Sequence, residues 1–122
     1  MRFRQGYANF VKQQFTAAKS FFRDVSREKD SDYYNPSNYY LGLIYFNEGD
    51  YTNAITSFLA VENDPTYKPH IPYYITQIYF AQRNFDKVIE YGTRNLNDTR
   101  VRNGKELRQL VEVAGKIGRA HV

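Results

Sequence analysis

The chain has 122 residues, 42% hydrophobic and 25% charged, with a formal net charge of +4. This balance suits one packed domain or about three units of a repeat array, and it excludes a disordered polymer. There is no cysteine, so disulfides and thiol catalysis are excluded. Every apolar stretch is interrupted by charge well short of the roughly 20 residues a membrane span requires, so no direct membrane insertion is expected.

In chain order, apolar residues three and four apart predict helices at about 2–13 and 15–28, 36–48 and 51–63, and 69–82 and 85–96. A seventh helix is predicted to begin near Thr99, after "NLND". The opening "MRFRQGYANF" lacks the apolar core of a signal peptide. It also starts inside a repeat, so Met1 is expected to be an internal methionine. In "YNPSNYY", Asn35 is placed as a cap and Pro36 at the first helical position, where its missing N–H has no partner to lose. Pro69 and Pro72 are given the same part in "KPHIPYY", and Asp64-Pro65 closes the preceding segment. Tyr40, Leu41, Ile44 and Tyr45 form one helical stripe; Ala54, Ile55, Phe58 and Leu59 form another. "NEGDY" separates them, with Gly49 free to take the left-handed conformation that ends a helix. No useful length alternates as a strand does, so the fold class is all-α.

The segment "GLIYFNEGDYTNAITSF" repeats an earlier one, "GYANFVKQQFTAAKSFF". Gly6 and Gly42, Phe15 and Tyr51, Ala18 and Ala54, and Phe22 and Phe58 are all 36 apart. A third copy follows at a spacing of 34, from Tyr45 to Tyr79, Tyr51 to Phe85 and Ile55 to Ile89. Repetition at this period marks an array of helical hairpins. Small residues at Gly42 and Ala54 are expected to let paired helices approach, with Tyr45, Tyr51 and Phe58 filling the space beside them.

Leu41-Gly42, Tyr45, Gly49, Tyr51, Ala54, Phe58 and Pro65 resemble the tetratricopeptide repeat (TPR), with Asn38 in place of its tryptophan. The first copy keeps Gly6, Phe15, Ala18 and Phe22. The third keeps Tyr79 and Phe85 but has Thr76 for the glycine, Val88 for the alanine and Gly92 for the phenylalanine. The resemblance implies a right-handed superhelical solenoid of about three antiparallel pairs plus one unpaired C-terminal helix. Its copies are placed at about 1–33, 36–66 and 69–97, with a partial fourth at 99–116. It further implies a concave groove built by the first helix of each pair. The partner-binding positions carried over are Tyr7 and Phe10, then Tyr39, Leu43 and Asn47, then Tyr73 and Gln77. Tyrosine suits such a role because it loses little entropy and offers both a ring and a hydroxyl.

Charge along the chain bears on the partner. Residues 1–29 hold seven Lys/Arg against two Asp/Glu, residues 30–82 one against six, and residues 83–122 nine against five. Ten of the 12 tyrosines fall between Tyr33 and Tyr79. The acidic, tyrosine-rich middle is expected to favour a protein or peptide partner bearing Lys or Arg, through ion pairs and cation–π contact. It interrupts the continuous basic face that nucleic acid would require.

No catalytic or metal-binding motif is present. His70 is given a solvated or capping role at a helix start. Asp50 and Asp86 are placed at equivalent hairpin positions, and "NDT" at Asn97 matches a glycosylation sequon by pattern alone. Neither enzymatic activity nor a cofactor is expected. The ending "KIGRAHV" fits no capping helix. Back-translated, Ile117–Val122 resembles a sequencing adapter read in frame, so residues 117–122 are expected to be non-native and the chain a fragment. The tandem copies also look like bacterial cell-envelope TPR proteins, which implies a periplasmic or outer-membrane place if a signal sequence lies upstream, and a cytoplasmic one otherwise. Two other readings are a helical-repeat RNA binder of the pentatricopeptide kind and a spacer for a further C-terminal enzyme or sensor domain.

Overall fold

The structure, a computed structural model, describes residues 2–120, with Ala120 described by its backbone alone. Met1, His121 and Val122 lie outside the described residues. All regular structure among the described residues is helical, and the chain divides into two compact units, Met1–Val61 and Glu62–Val122. The first unit holds α1 (Arg2–Val11), α2 (Phe15–Val25), α3 (Tyr34–Glu48) and α4 (Tyr51–Leu59). Each helix packs on the next, so two hairpins lie against one another through α2 and α3. The second unit holds α5 (Ile71–Ala81), α6 (Phe85–Asn95) and α7 (Gly104–Ala120), each of which packs on both others.

The repeat is clearest in the backbone of the hairpin turns. Gln13, Gly49 and Arg83 all take positive φ, at 61°, 77° and 59°. The residues that follow, Gln14, Asp50 and Asn84, are helix N-caps with φ of −88°, −86° and −91° and ψ of 72°, 77° and 74°. The hydrogen bonds match as well. The N–H groups of Gln14, Asp50 and Asn84 donate to the carbonyls of Asn9, Tyr45 and Tyr79 at 2.9, 2.9 and 2.8 Å. Each turn is thus a left-handed helix stop followed directly by a new helix start. Only the middle copy has a glycine at the strained position. Asp50 and Asn84 also cap through their side chains, accepting from the N–H groups of Asn53 and Lys87. The equivalent of Asp50 is therefore Asn84. Asp86, expected at that place, lies in the first turn of α6.

Close helix approach is visible inside each hairpin. A Cβ on Gly6 would lie 2.8 Å from the Phe22 ring, and one on Gly42 2.6 Å from the Phe58 ring. Ala18, Phe22, Ala54 and Phe58 are fully buried, as the pairing of small and large residues requires. The third hairpin reverses the sizes. Thr76 takes the glycine position, fully buried, and Gly92 takes the phenylalanine position. The space left at Gly92 is occupied from α7, where Val111 Cγ2 comes within 2.5 Å and Leu107 Cδ1 within 3.8 Å of where a Cβ would stand. The departures of the third copy from the first two thus form one compensated set that seats α7.

Several boundaries differ from expectation. Helix α3 begins at Tyr34, with Tyr33 as the N-cap residue and its carbonyl accepting from Ser37 N–H at 2.9 Å. Asn35 is therefore inside the helix. Pro36 is its third residue, still among the first four positions whose N–H has no intrahelical partner. In α5, Pro72 fills an early helical position, whereas Pro69 lies before His70, the N-cap residue. Pro69 instead accepts from Arg102 N–H at 2.8 Å, tying the approach to α5 to the approach to α7. Helix α7 starts at Gly104, five residues beyond Thr99, because Asp98 and its neighbours form a turn: the Asp98 carboxylate accepts from Arg100 N–H at 2.9 Å. At its other end α7 continues through Ile117–Ala120, so the described part of the closing segment is helical.

Candidate functional site

The repeated turns fix which residues are equivalent along the first helices of the hairpins. At the offsets of 36 and 34, Phe3, Tyr39 and Tyr73 form one set, Tyr7, Leu43 and Gln77 a second, and Val11, Asn47 and Ala81 a third. In the first unit Tyr7 is 44% exposed and Val11 58%, on neighbouring turns of α1. On α3, Tyr39 and Leu43 are half-buried and Asn47 is exposed. In the second unit Tyr73 and Gln77 are half-buried and four residues apart, which places them on one face of α5.

Phe10 belongs to a different set. It corresponds to Phe46 and Phe80, and each of these pairs with the ring that opens the following helix. Phe10–Phe15, Phe46–Tyr51 and Phe80–Phe85 have ring centroids 5.6, 6.2 and 5.4 Å apart. Phe10 also packs on the core of Ala18, Phe22, Leu41 and Ile44. The structure therefore places it within the hairpin packing, and Phe3 takes the register of Tyr39 and Tyr73. The same offset, applied backwards from Tyr39, would have found Phe3 in the sequence.

Tyr40 joins the exposed face of the first unit to its interior. Its ring stacks on Phe22 at 5.6 Å and meets Tyr7 and Tyr39 edge-on, each at 5.6 Å. Tyr7 and Tyr39 thus flank a common support and have little freedom to turn. Burial, and then the neighbouring Tyr7, push the Tyr40 phenol above the ordinary tyrosine range. In the second unit Tyr91 is raised much further, by burial first and then by Glu62 and Tyr79, with Arg94 opposing.

Of the carboxylates of the acidic middle, only Glu48 lies in one of these helices. Asp30 and Asp32 lie in the α2–α3 connection, Asp50 caps α4, and Glu62 and Asp64 precede α5. Glu48 closes α3 and accepts both bonds from Lys19 Nζ at 2.9 Å. Helix α5, "IPYYITQIYFA", has no charged residue at all. The first helices are thus aromatic and poor in carboxylates: α1 carries Arg2 and Arg4, α3 carries only Glu48, and α5 is uncharged. Among the described residues no group of His, Asp and Glu is arranged to hold a metal ion, and no helix is long and apolar enough to cross a membrane. Comparison with family models, with curated proteins and with solved structures finds no match to this chain.

Proposed function

We propose that this chain is a protein-interaction module of the tetratricopeptide kind, its hairpins stacked as a right-handed solenoid, and that it performs no reaction itself. The observation that carries the reading is the hairpin turn repeated three times, residue for residue, in dihedrals and hydrogen bonds. One hairpin cannot cover its own apolar side, and identical hairpins are the units that stack into such arrays. The repeat offsets make Phe3, Tyr39 and Tyr73 equivalent positions, which supports giving each the anchoring role in its own copy.

In this reading the partner is a peptide or helix that offers apolar anchors to a tyrosine face poor in carboxylates. A cationic side chain on the partner would rest over a tyrosine ring. The helical-repeat RNA reading is disfavoured because neither α3 nor α5 carries a Lys or Arg. The test is selection of binding peptides from a random library against the whole chain, followed by titration of a selected peptide. Tyr39→Ala and Tyr73→Ala should each weaken it by about 1–3 kcal/mol. Unchanged affinity in both variants would remove these tyrosines from the site.

A further inference from the structure

The first unit has a second polar surface, on the side formed by α2 and α4. A groove of about 300 Å³ runs between these helices over α3. Arg23 and Arg27 form one wall, Asn53, Thr56 and Ser57 the other, and Tyr45 part of the floor. Among the described residues neither arginine has an ion-pair or hydrogen-bond partner for its guanidinium. Two nearby carboxylates are already matched: Asp24 accepts from Arg2, and Glu48 accepts from Lys19. Glu28, next to Arg27 in the chain, does not line the groove. No carboxylate lines the groove itself. Ser57 is almost buried, and its hydroxyl makes no hydrogen bond among the described residues.

We propose that this groove binds an acidic peptide segment, taking Asp or Glu side chains on Arg23 and Arg27 with Ser57 as a further donor. The guanidinium fork matches a carboxylate with two parallel hydrogen bonds, which distinguishes it from a diffuse positive patch. Two guanidiniums four residues apart suit successive carboxylates on one peptide. Single-stranded nucleic acid would need an open ring to stack on. The floor ring Tyr45 instead has the Lys19 ammonium over it at 5.6 Å. A membrane surface would need several apolar side chains, and α4 exposes one, Leu59. Charge complementarity therefore selects an acidic polypeptide.

The test uses the whole chain and a fluorescein-labelled hexaglutamate peptide in a fluorescence anisotropy titration at low salt. The wild type should bind, and the exposed pair Arg23→Gln with Arg27→Gln should lower affinity about tenfold or more, as loss of charged hydrogen bonds predicts. The pair Lys105→Gln with Arg108→Gln, an equal charge change on α7, should stay within about twofold, and Tyr39→Ala should leave hexaglutamate binding unchanged. Thermal melts of the variants that match the wild type show that the fold is intact. Absence of wild-type binding, an unaltered Arg23→Gln with Arg27→Gln variant, or an equal loss in Lys105→Gln with Arg108→Gln would overturn the assignment. So would tighter binding, lost in the Arg23→Gln with Arg27→Gln variant, to phosphatidylserine vesicles or to a single-stranded RNA oligonucleotide.

Discussion

At the scale of single residues, most of the specificity of this fold rests on contacts too close for one extra methyl. Gly42→Ala would force a Cβ to 2.6 Å from the Phe58 ring, which is itself fully buried and has no space to move into. Overpacking of this kind should lower stability by about 1–3 kcal/mol, measured by denaturant unfolding. Gln13 and Arg83 offer the opposite change. Both are non-glycine residues held at positive φ, and Gly49 shows what the turn prefers. Gln13→Gly and Arg83→Gly should each raise stability by about 0.5–1 kcal/mol, after allowance for the greater freedom glycine gives the unfolded chain. Tyr91 sets a limit at alkaline pH. Its folded phenol is raised above its unfolded value, so its contribution is fully present below the ordinary tyrosine pKa near pH ~10 and is lost as pH climbs from there. Unfolding should become easier above about pH 10, and Tyr91→Phe should blunt that slope in a pH series of thermal melts.

At the scale of elements, α7 depends on a vacancy two helices wide. Leu107 and Ala114 are fully buried, and Leu107 and Val111 reach the backbone at Gly92. Leu107→Ala should cost about 2–5 kcal/mol and release α7 first, read as loss of amide protection over Gly104–Ala120 in hydrogen exchange. The existence and order of the helices were legible in the sequence because apolar spacing alone carries them. Boundaries were less so. Asn35-Pro36 reads as a helix start, yet the Tyr33 carbonyl two positions earlier already has its partner in Ser37 N–H. Thr76, Val88 and Gly92 read as decay of a pattern because compensation between buried volumes on three helices leaves no periodic trace. For the candidate site, the equivalence of Tyr39 and Tyr73 is readable from the repeat offset alone. The packing of Phe10 on Phe15 and the core is not, since ring identity says nothing about which side of a helix the ring occupies until the turn fixes the register.

At the scale of the whole molecule, a count of charges along the chain does not say on which surface they sit. The acidic third places most of its carboxylates in connections and the Asp50 cap, and Glu48 at the end of α3 against Lys19, whereas α5 is uncharged and the α2–α4 side of the first unit carries unmatched arginines. Ionic strength should therefore separate two kinds of ligand. Raising salt from about 0.05 M to about 0.5 M shortens the screening length from above 10 Å to below 5 Å. Hexaglutamate binding should fall about tenfold or more, while an apolar peptide selected on Tyr39 and Tyr73 should hold within about twofold. Measuring both titrations on one sample would assign each ligand to its surface.

The superimposable turns have a consequence for how such a chain can change its length. Splicing the polypeptide after Gln13 directly to Asp50 would recreate a left-handed stop followed by a capped start, with no new loop to invent. Recombination between neighbouring junctions would remove or duplicate one copy's length of chain, α2 with α3 or α4 with α5, and leave the joint stereochemically native. Gene rearrangement can thus lengthen or shorten the array in steps of one copy, and selection need repair only the side chains on either side of the seam.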